Sequence, residues 1–186
     1  MEIFLVVFVI LVLALGYLIH LYNGLVRARQ LAEEGWSGID VQLKRRADLV
    51  PNLVNTLRGY VMHERQTLDA VIKARNHALS VSGDNVTERA AAEGALGQAV
   101  GKLFALAEAY PDLKASQNFL GLQASLETLE QEIQMARRYY NGAARDLNIR
   151  IETIPSSFVA ARFGFAKKAY FEIENATERA LPDVSI

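Results

Sequence analysis

The pattern of apolar and polar positions changes character at Arg27. From Ile3 to Ile19 every residue is apolar or glycine, and Glu2 is the one charge in the first 26 residues. A bilayer core about 30 Å thick takes roughly 20 apolar residues in a helix, a length that Ile3 to about Tyr22 meets. A helix packed in a soluble core has no need to be apolar all round. A signal peptide would carry Lys or Arg ahead of the run and a small-x-small cleavage site behind it. Here Glu2 comes first, and only Ala14-Leu15-Gly16 resembles such a site. The expectation is a retained transmembrane anchor. Arg27 and Arg29 follow the run, with Lys44, Arg45 and Arg46 later and no basic residue before it. That asymmetry places a short N-terminus outside and the body in the cytoplasm. Tyr17 and Tyr22 fit interfacial aromatics near the inner face.

Past the anchor the apolar positions step by threes and fours. Trp36, Ile39, Leu43, Val50, Leu53, Leu57, Val61, Leu68, Val71 and Ile72 share one face, with Arg46 and Glu64 in the same stripe. This is the period of an amphipathic helix from Leu31 to about Leu79. Pro51 lies inside it and predicts a bend near Asp48 to Pro51, or two abutting helices. If unbroken, the element extends the membrane helix into the cytoplasm as one long rod. Val81-Ser82-Gly83-Asp84-Asn85 is the clearest break. Asn85 and Glu88 then have the spacing of an N-cap and its capping-box partner. The Ala-rich helix that follows places Ala92, Leu96, Ala99, Leu103, Leu106 and Tyr110 on one stripe. Tyr110-Pro111 stops it, because the residue before a proline disfavours helix.

A last long helix runs from about Ser116 to Ile151. Phe119, Leu122, Leu126, Leu129, Ile133, Ala136, Tyr140, Ala143 and Leu147 repeat at the 3.5-residue average of a left-handed bundle seam. Long helices joined by short loops bury such stripes by packing antiparallel. The expected fold is all-α: an N-terminal transmembrane helix continuing into an elongated antiparallel bundle of long helices. The expected division is an anchor over 1–26, a bundle over 27–153, and an aromatic-rich cap and tail over 154–186. In the last part, a short helix near Ser157 to Arg162 precedes an extended segment holding Phe163, Phe165, Tyr170 and Phe171. It is either a cap on the bundle end or a docking or membrane-surface element, with Lys167 and Lys168 beside the aromatics.

Composition narrows the chemistry. All 20 basic residues follow Val26 and face a nearly equal number of acids, giving a net charge of −1. No nucleic-acid footprint is present. With no cysteine, disulfides, cysteine zinc sites and thiol nucleophiles are excluded. Gly94, Gly97 and Gly101 have no phosphate-loop spacing. Their helical recurrence suits close helix packing, or a self-association face. His63-Glu64 opens an HExxH pattern that Thr67 ends, and His20 and His77 add no ligand cluster. There is no Gly-x-Ser-x-Gly elbow. The pairs Glu33-Glu34 and Glu127 with Glu130 fit solvated helix faces. Lys44-Arg45-Arg46 fits a solvated face paired with Asp40 and Asp48.

Several segments, in order and at matching spacing, resemble the LemA family of bacterial single-span membrane proteins. They begin with Tyr22-Asn23-Gly24-Leu25-Val26, Trp36 to Arg46, Asp48 to Val54, Gly59-Tyr60, His63-Glu64, Ala74-Arg75 and Glu108 to Lys114. They continue with Asn118-Phe119, Leu122-Gln123, Glu130, Ile133, Ala136 to Asn141, Phe163-Gly164-Phe165 and Tyr170-Phe171. The resemblance implies an external N-terminus, one span at the bacterial inner membrane and a cytoplasmic bundle of long helices. Magnetosome-membrane proteins are similar in sequence, which implies a role in membrane organisation. It implies no reaction and no catalytic residue.

Within these segments Asp40, Arg45, Arg46, Asp48, Asn52, Glu64, Arg75, Arg137, Arg138 and Asn141 are polar groups set in apolar repeats. A charge near a bundle seam needs a partner. They form either a register-fixing network between the first and last cytoplasmic helices or a partner-recognition surface. Tyr110-Pro111-Asp112-Leu113-Lys114 is expected as a loop at a bundle end, where function often sits. The expected function is a non-enzymatic membrane-anchored scaffold or adaptor, with no cofactor or metal. The alternative is an accessory regulator of membrane proteolysis or envelope stress. The expected partners are the lipid bilayer, further copies of the chain and a membrane protein.

Overall fold

The 3.6-residue period of the sequence resolves into helices throughout. The computed structural model describes residues 1–61, 64–83 and 85–172. His63, and Asp84 of the expected break, lie outside them, as does the tail from 173. Six helices occur among the described residues, and no strand. They are α1 (Glu2–Arg58), α2 (Arg65–Ser80), α3 (Val86–Ala107), α4 (Pro111–Lys114), α5 (Gln117–Glu152) and α6 (Ser156–Phe163).

α1 is the one helix among these residues long and apolar enough to cross a membrane. Residues 1–20 are exposed on every face. Pro51 does not end it, so the two abutting helices that were one expectation there do not occur. α1 runs seven residues further, and the chain leaves the helix at Gly59. The physical reason lies in α2. Proline has no N–H to give the carbonyl four residues back, which is that of the fully buried Ala47. The Arg75 Nε donates to the Ala47 carbonyl instead, at 3.1 Å.

Two compact units are present. Unit 1 holds Met1–Ser37 and Ala136–Tyr170; unit 2 holds Gly38–Met135 with Phe171. α1 and α5 contribute to both.

Unit 2 is an up-and-down bundle of the later part of α1, then α2, α3 and the earlier part of α5. Asp48 of α1 meets Arg75 of α2. α1 and α3 run the same way, since Asp40 meets Arg89 and Arg46 meets Glu93. α5 runs opposite, with Arg45 at Glu132 and Arg46 at Glu130. The core is one continuous apolar cluster that includes Val50, Leu53, Leu57, Leu68, Val71, Leu96, Leu103, Leu113 and Phe119. Burying each such side chain contributes about 1.5–3 kcal/mol. α3 begins as its sequence indicates: the Glu88 N–H donates to Asn85 Oδ1 at 3.1 Å. The expected loop at Tyr110 to Lys114 contains the single turn α4, with Pro111 at its first position and Tyr110 as its cap. Proline suits that position because the first helical N–H has no partner to lose.

Unit 1 pairs the earlier part of α1 antiparallel with the later part of α5, and adds α6 and the segment after it. Gly35 is placed where a Cβ would lie 3.0 Å from the Tyr140 Cα and 3.1 Å from the Tyr139 ring. Only glycine lets the two backbones approach so closely. Beside it Trp36 packs on Tyr140, ring centres 5.4 Å apart. α6 ends at Gly164, whose φ of 71° is a left-handed cap, as glycine favours. The chain then lies along α5. Asn148 donates to the Lys168 carbonyl and accepts from the Lys168 N–H, both at 2.9 Å. Tyr140 Oη donates to the Ala169 carbonyl at 2.8 Å, and burial pushes the phenol above its ordinary pKa.

Candidate functional site

The most unusual chemistry lies inside unit 2. Glu93 is fully buried, and Arg46 and Arg89 are 4% and 5% exposed. All three occupy inward positions of their helices: Arg46 between Leu43 and Val50, Glu93 and Arg89 one and two steps before Leu96. The Arg46 Nη2 donates to Glu93 Oε2 at 2.6 Å and to the Glu93 carbonyl at 3.0 Å. The Arg89 Nε lies 3.2 Å from Glu93 Oε1. Each arginine also reaches a second acid nearer solvent. Arg46 Nη1 meets Glu130 at 3.0 Å, and Arg89 Nη2 meets Asp40 at 3.3 Å. Arg89 further donates to the Val81 carbonyl at 3.2 Å, which fixes the turn before α3.

The result is a chain of charges, Asp40–Arg89–Glu93–Arg46–Glu130, that ties α1, α3 and α5 together with one net negative charge. Two ions are costly to desolvate, and their attraction offsets this only when the remaining donors and acceptors are satisfied. Here one carboxylate is shared by two guanidiniums. Within it Arg46 Nε, Arg89 Nε and Glu93 Oε1 make no hydrogen bond, so ion pairing rather than full hydrogen-bond satisfaction holds the cluster together. A shift of α1 against α3 by one turn would separate the buried Arg46 from Glu93.

The network forms one end of a cleft of about 510 Å³ in unit 2. Gly94, Gly97 and Gly101 of α3 line it, with Phe104, Leu126 and Glu127 among the walls. The expectation of close helix packing through these glycines is corrected at Gly101, where a Cβ would have nothing within 4 Å. At Gly97 the nearest atom to such a Cβ is the Arg46 Nη1, at 3.8 Å.

The structure distributes the expected polar residues over distinct sites. Asp40, Arg46, and through a longer contact Arg45, belong to the network or its edge, Arg45 reaching Glu132 at 3.8 Å. Asp48 and Arg75 meet at 3.9 Å beside the Pro51 defect. Arg46 is therefore not a solvated partner of Asp40 and Asp48, which pair with Arg89 and Arg75. Its place on the buried stripe puts it six residues from Asp40, on another face of α1. Glu130 likewise is not simply a solvated carboxylate. Asn52 is exposed, and Glu64 caps α2 through its backbone without a side-chain bond. Lys114 pairs with Glu108, and Asp112 stands in the first turn of α4. In unit 1, Arg137 is half-buried, Arg138 exposed, and Asn141 half-buried.

Arg89, Glu93 and Glu132 escaped sequence reasoning. The signal was present for two of them: Arg89, Glu93, Leu96, Val100, Leu103 and Ala107 step 4-3-4-3-4, and all six are buried, along with Ala90 and Ala92. The expected stripe shares Ala92, Leu96 and Leu103 with that buried set, while its Ala99, Leu106 and Tyr110 are half-buried.

A model of the LemA family matches residues 35–186. The chain belongs to the LemA family. The match starts at Gly35, at the close approach of α1 and α5, and takes in the whole charge network. The chain is also similar to Protein LemA of Metamycoplasma hominis, with 27% identity over 173 residues, 92% of this chain and 78% of that protein. It is similar to Magnetosome protein MamQ of Magnetospirillum gryphiswaldense, 24% identical over 174 residues. That match covers 81% of this chain and 64% of MamQ, so the chain spans just under two thirds of that relative's length. With Magnetosome protein MamQ 2 of Paramagnetospirillum magneticum it shares 35% identity over 81 residues, 44% of this chain and 30% of that protein.

Proposed function

We propose that this LemA-family chain is a membrane-anchored scaffold or adaptor without catalytic activity. It spans the bacterial inner membrane once, with its N-terminal end outside and its bundle in the cytoplasm, and presents the bundle to a membrane-protein partner or to further copies of itself. The observation that carries this reading is α1: within one helix the apolar span continues into the first helix of the bundle. The basic residues Arg27 and Arg29 sit immediately after the span, as the positive-inside tendency requires for this orientation.

The cleft of unit 2 is the partner surface of this reading. Its glycines admit a helix backbone at close range, its walls are apolar at Phe104 and Leu126, and its network end carries net negative charge beside Glu127. A helix with a small apolar face and a basic residue matches it. Extraction of the full-length chain in mild detergent, sized by light scattering with co-purifying proteins identified, tests the proposal. The expected result is a complex well above the 20.6 kDa of one chain, held either by copies or by one protein in fixed ratio. Gly101→Leu is expected to reduce that mass with helix content unchanged. A monomer mass at every concentration, with no stoichiometric partner, overturns it.

A further inference from the structure

Unit 1 carries a second apolar surface that its own core does not use. α6 buries Val159 and Ala160 against Leu25, with Leu21 and Phe165 beside them. Its opposite side is open: Phe158 is 69% and Phe163 61% exposed, and Ile154, just before the helix, is 72% exposed. A groove of about 460 Å³ separates this side from α1, lined by Leu15, Leu18, Ile19 and Tyr22 on one wall and by Phe158 and Phe163 on the other.

The depth of that groove decides its surroundings. Leu15, Leu18 and Ile19 belong to the apolar run itself, and from Leu15 to Tyr22 α1 rises about 10 Å. A span that begins at Ile3 reaches the far side of a core about 30 Å thick near Tyr22. α6 is therefore level with the last third of the hydrocarbon layer. Tyr22 locks it there, with its ring 4.9 Å from that of Phe163, edge to face. Water cannot be the medium on the open side of a helix held at that height.

Charge marks where the layer ends. Arg162 sits at the rim of the groove, its guanidinium 6.0 Å from the Phe163 ring, a placement that lets the stem lie in lipid and the head reach phosphate. His20, Arg27 and Arg150 line a separate recess on another side of α1. Arg27 and Arg150 place cationic groups at the same boundary. Lys167 and Lys168 take no part. Lys167 pairs with Glu152, and the backbone of Lys168 is bound to Asn148, where the chain turns back along α5.

We infer that α6 is a second membrane element, lying in the inner-leaflet boundary with Ile154, Phe158 and Phe163 among acyl chains, and that the groove beside Leu15 and Ile19 is filled by a lipid tail. This rests on the reading of α1 as a span. Interfacial helices of this type bury their apolar face some 5–10 Å into the headgroup and acyl boundary.

The chain has no cysteine, so single cysteines can carry a nitroxide at chosen positions. Leu11→Cys, Phe158→Cys and Glu127→Cys of the full-length chain are placed in vesicles of phosphatidylethanolamine and phosphatidylglycerol. Collision rates with oxygen and with a water-soluble nickel chelate report depth. Labels at 11 and 158 are both expected to favour oxygen, by a ratio several-fold above that at 127. An aqueous ratio at 158 with a lipid ratio at 11 overturns the inference and leaves the span standing. An aqueous ratio at 11 overturns the span and the inference together. Phe158 is exposed, so its replacement spares the core; Phe158→Ser with a label at Phe163→Cys repeats the test from the other end of α6.

Discussion

Unit 2 surrounds its charges with a continuous apolar cluster, whereas unit 1 holds its helices together through small, separate contacts. In unit 2 the cluster runs from Val50 to Leu126 through α1 to α5, and the Arg46–Glu93–Arg89 network sits within the same bundle. In unit 1 the buried groups include Leu25 with Val159 and Ala160, Ala28 with Ala32 and Leu147, and Tyr140 and Ala144. Ring contacts and backbone bonds from Asn148 and Tyr140 supply the rest. The difference teaches where each unit gets its stability. A bundle in water must bury its apolar stripes against itself. A unit at the membrane can leave apolar surface outward, because lipid covers it.

The largest expected effect falls in unit 2. Glu93→Ala leaves two buried guanidiniums without their shared carboxylate, and breaking a buried pair in this way costs about 3–5 kcal/mol. Urea unfolding of the full chain in detergent, followed by far-ultraviolet circular dichroism, measures it. A loss under about 1 kcal/mol would mean the pair behaves as a surface one, and the contrast between the units would weaken.

Gly35→Val is the matching break in unit 1. Its side chain would collide with the Tyr140 backbone and the Tyr139 ring, and overpacking of this kind costs about 1–3 kcal/mol. Trp36, the single tryptophan, adjoins the site and reports the change by its emission. Unchanged emission and stability would show that the approach of α1 and α5 is looser than drawn.

Arg75→Met sharpens the account of Pro51. It strands the Ala47 carbonyl at a cost of about 1–3 kcal/mol. In a Pro51→Ala background the restored N–H can serve that carbonyl, so the same change should cost less, by roughly 1 kcal/mol of coupling. Strict additivity would remove the link between the two residues.

The smallest effect concerns Tyr140. Burial raises its pKa above 10.0, so the folded state holds the neutral phenol. The stability this contributes is complete below the unfolded value and is lost as pH rises through the higher folded one. Thermal unfolding between neutral pH and the alkaline range should show a decline above about pH 10 that Tyr140→Phe makes shallower. An identical slope in the variant would remove Tyr140 as its source.

The helical class, the candidate membrane helix and the break before α3 were legible in the sequence because they depend on local period and turn chemistry. The Asn85–Glu88 cap and the start of α5 are local in this sense. The end of α1 was not legible, because Pro51 is tolerated only through a residue on another helix. The network was half legible for the same reason: Arg46 on an apolar stripe announces a buried charge, but the identity of its partner depends on the packing of α3 against α1. Asn148 gave no local sign, since its role is to hold a backbone segment 20 residues on. The charged members of the α3 seam, Arg89 and Glu93, were missed because alanine fills several faces of that helix and blurs the apolar contrast that marks a buried one.

The bond from Arg75 to the Ala47 carbonyl also sets an order of events. A helix normally completes its own ladder as it grows, but here one rung of α1 is supplied from 28 residues downstream. During synthesis the span and the first half of α1 emerge before that donor exists. The helix therefore crosses Pro51 with an open rung until α2 docks, and closing that loop is an entropic cost met late. A φ-value near zero for Arg75→Met, beside larger values for core positions of α1 such as Leu43, would be the kinetic signature of a helix finished by its neighbour.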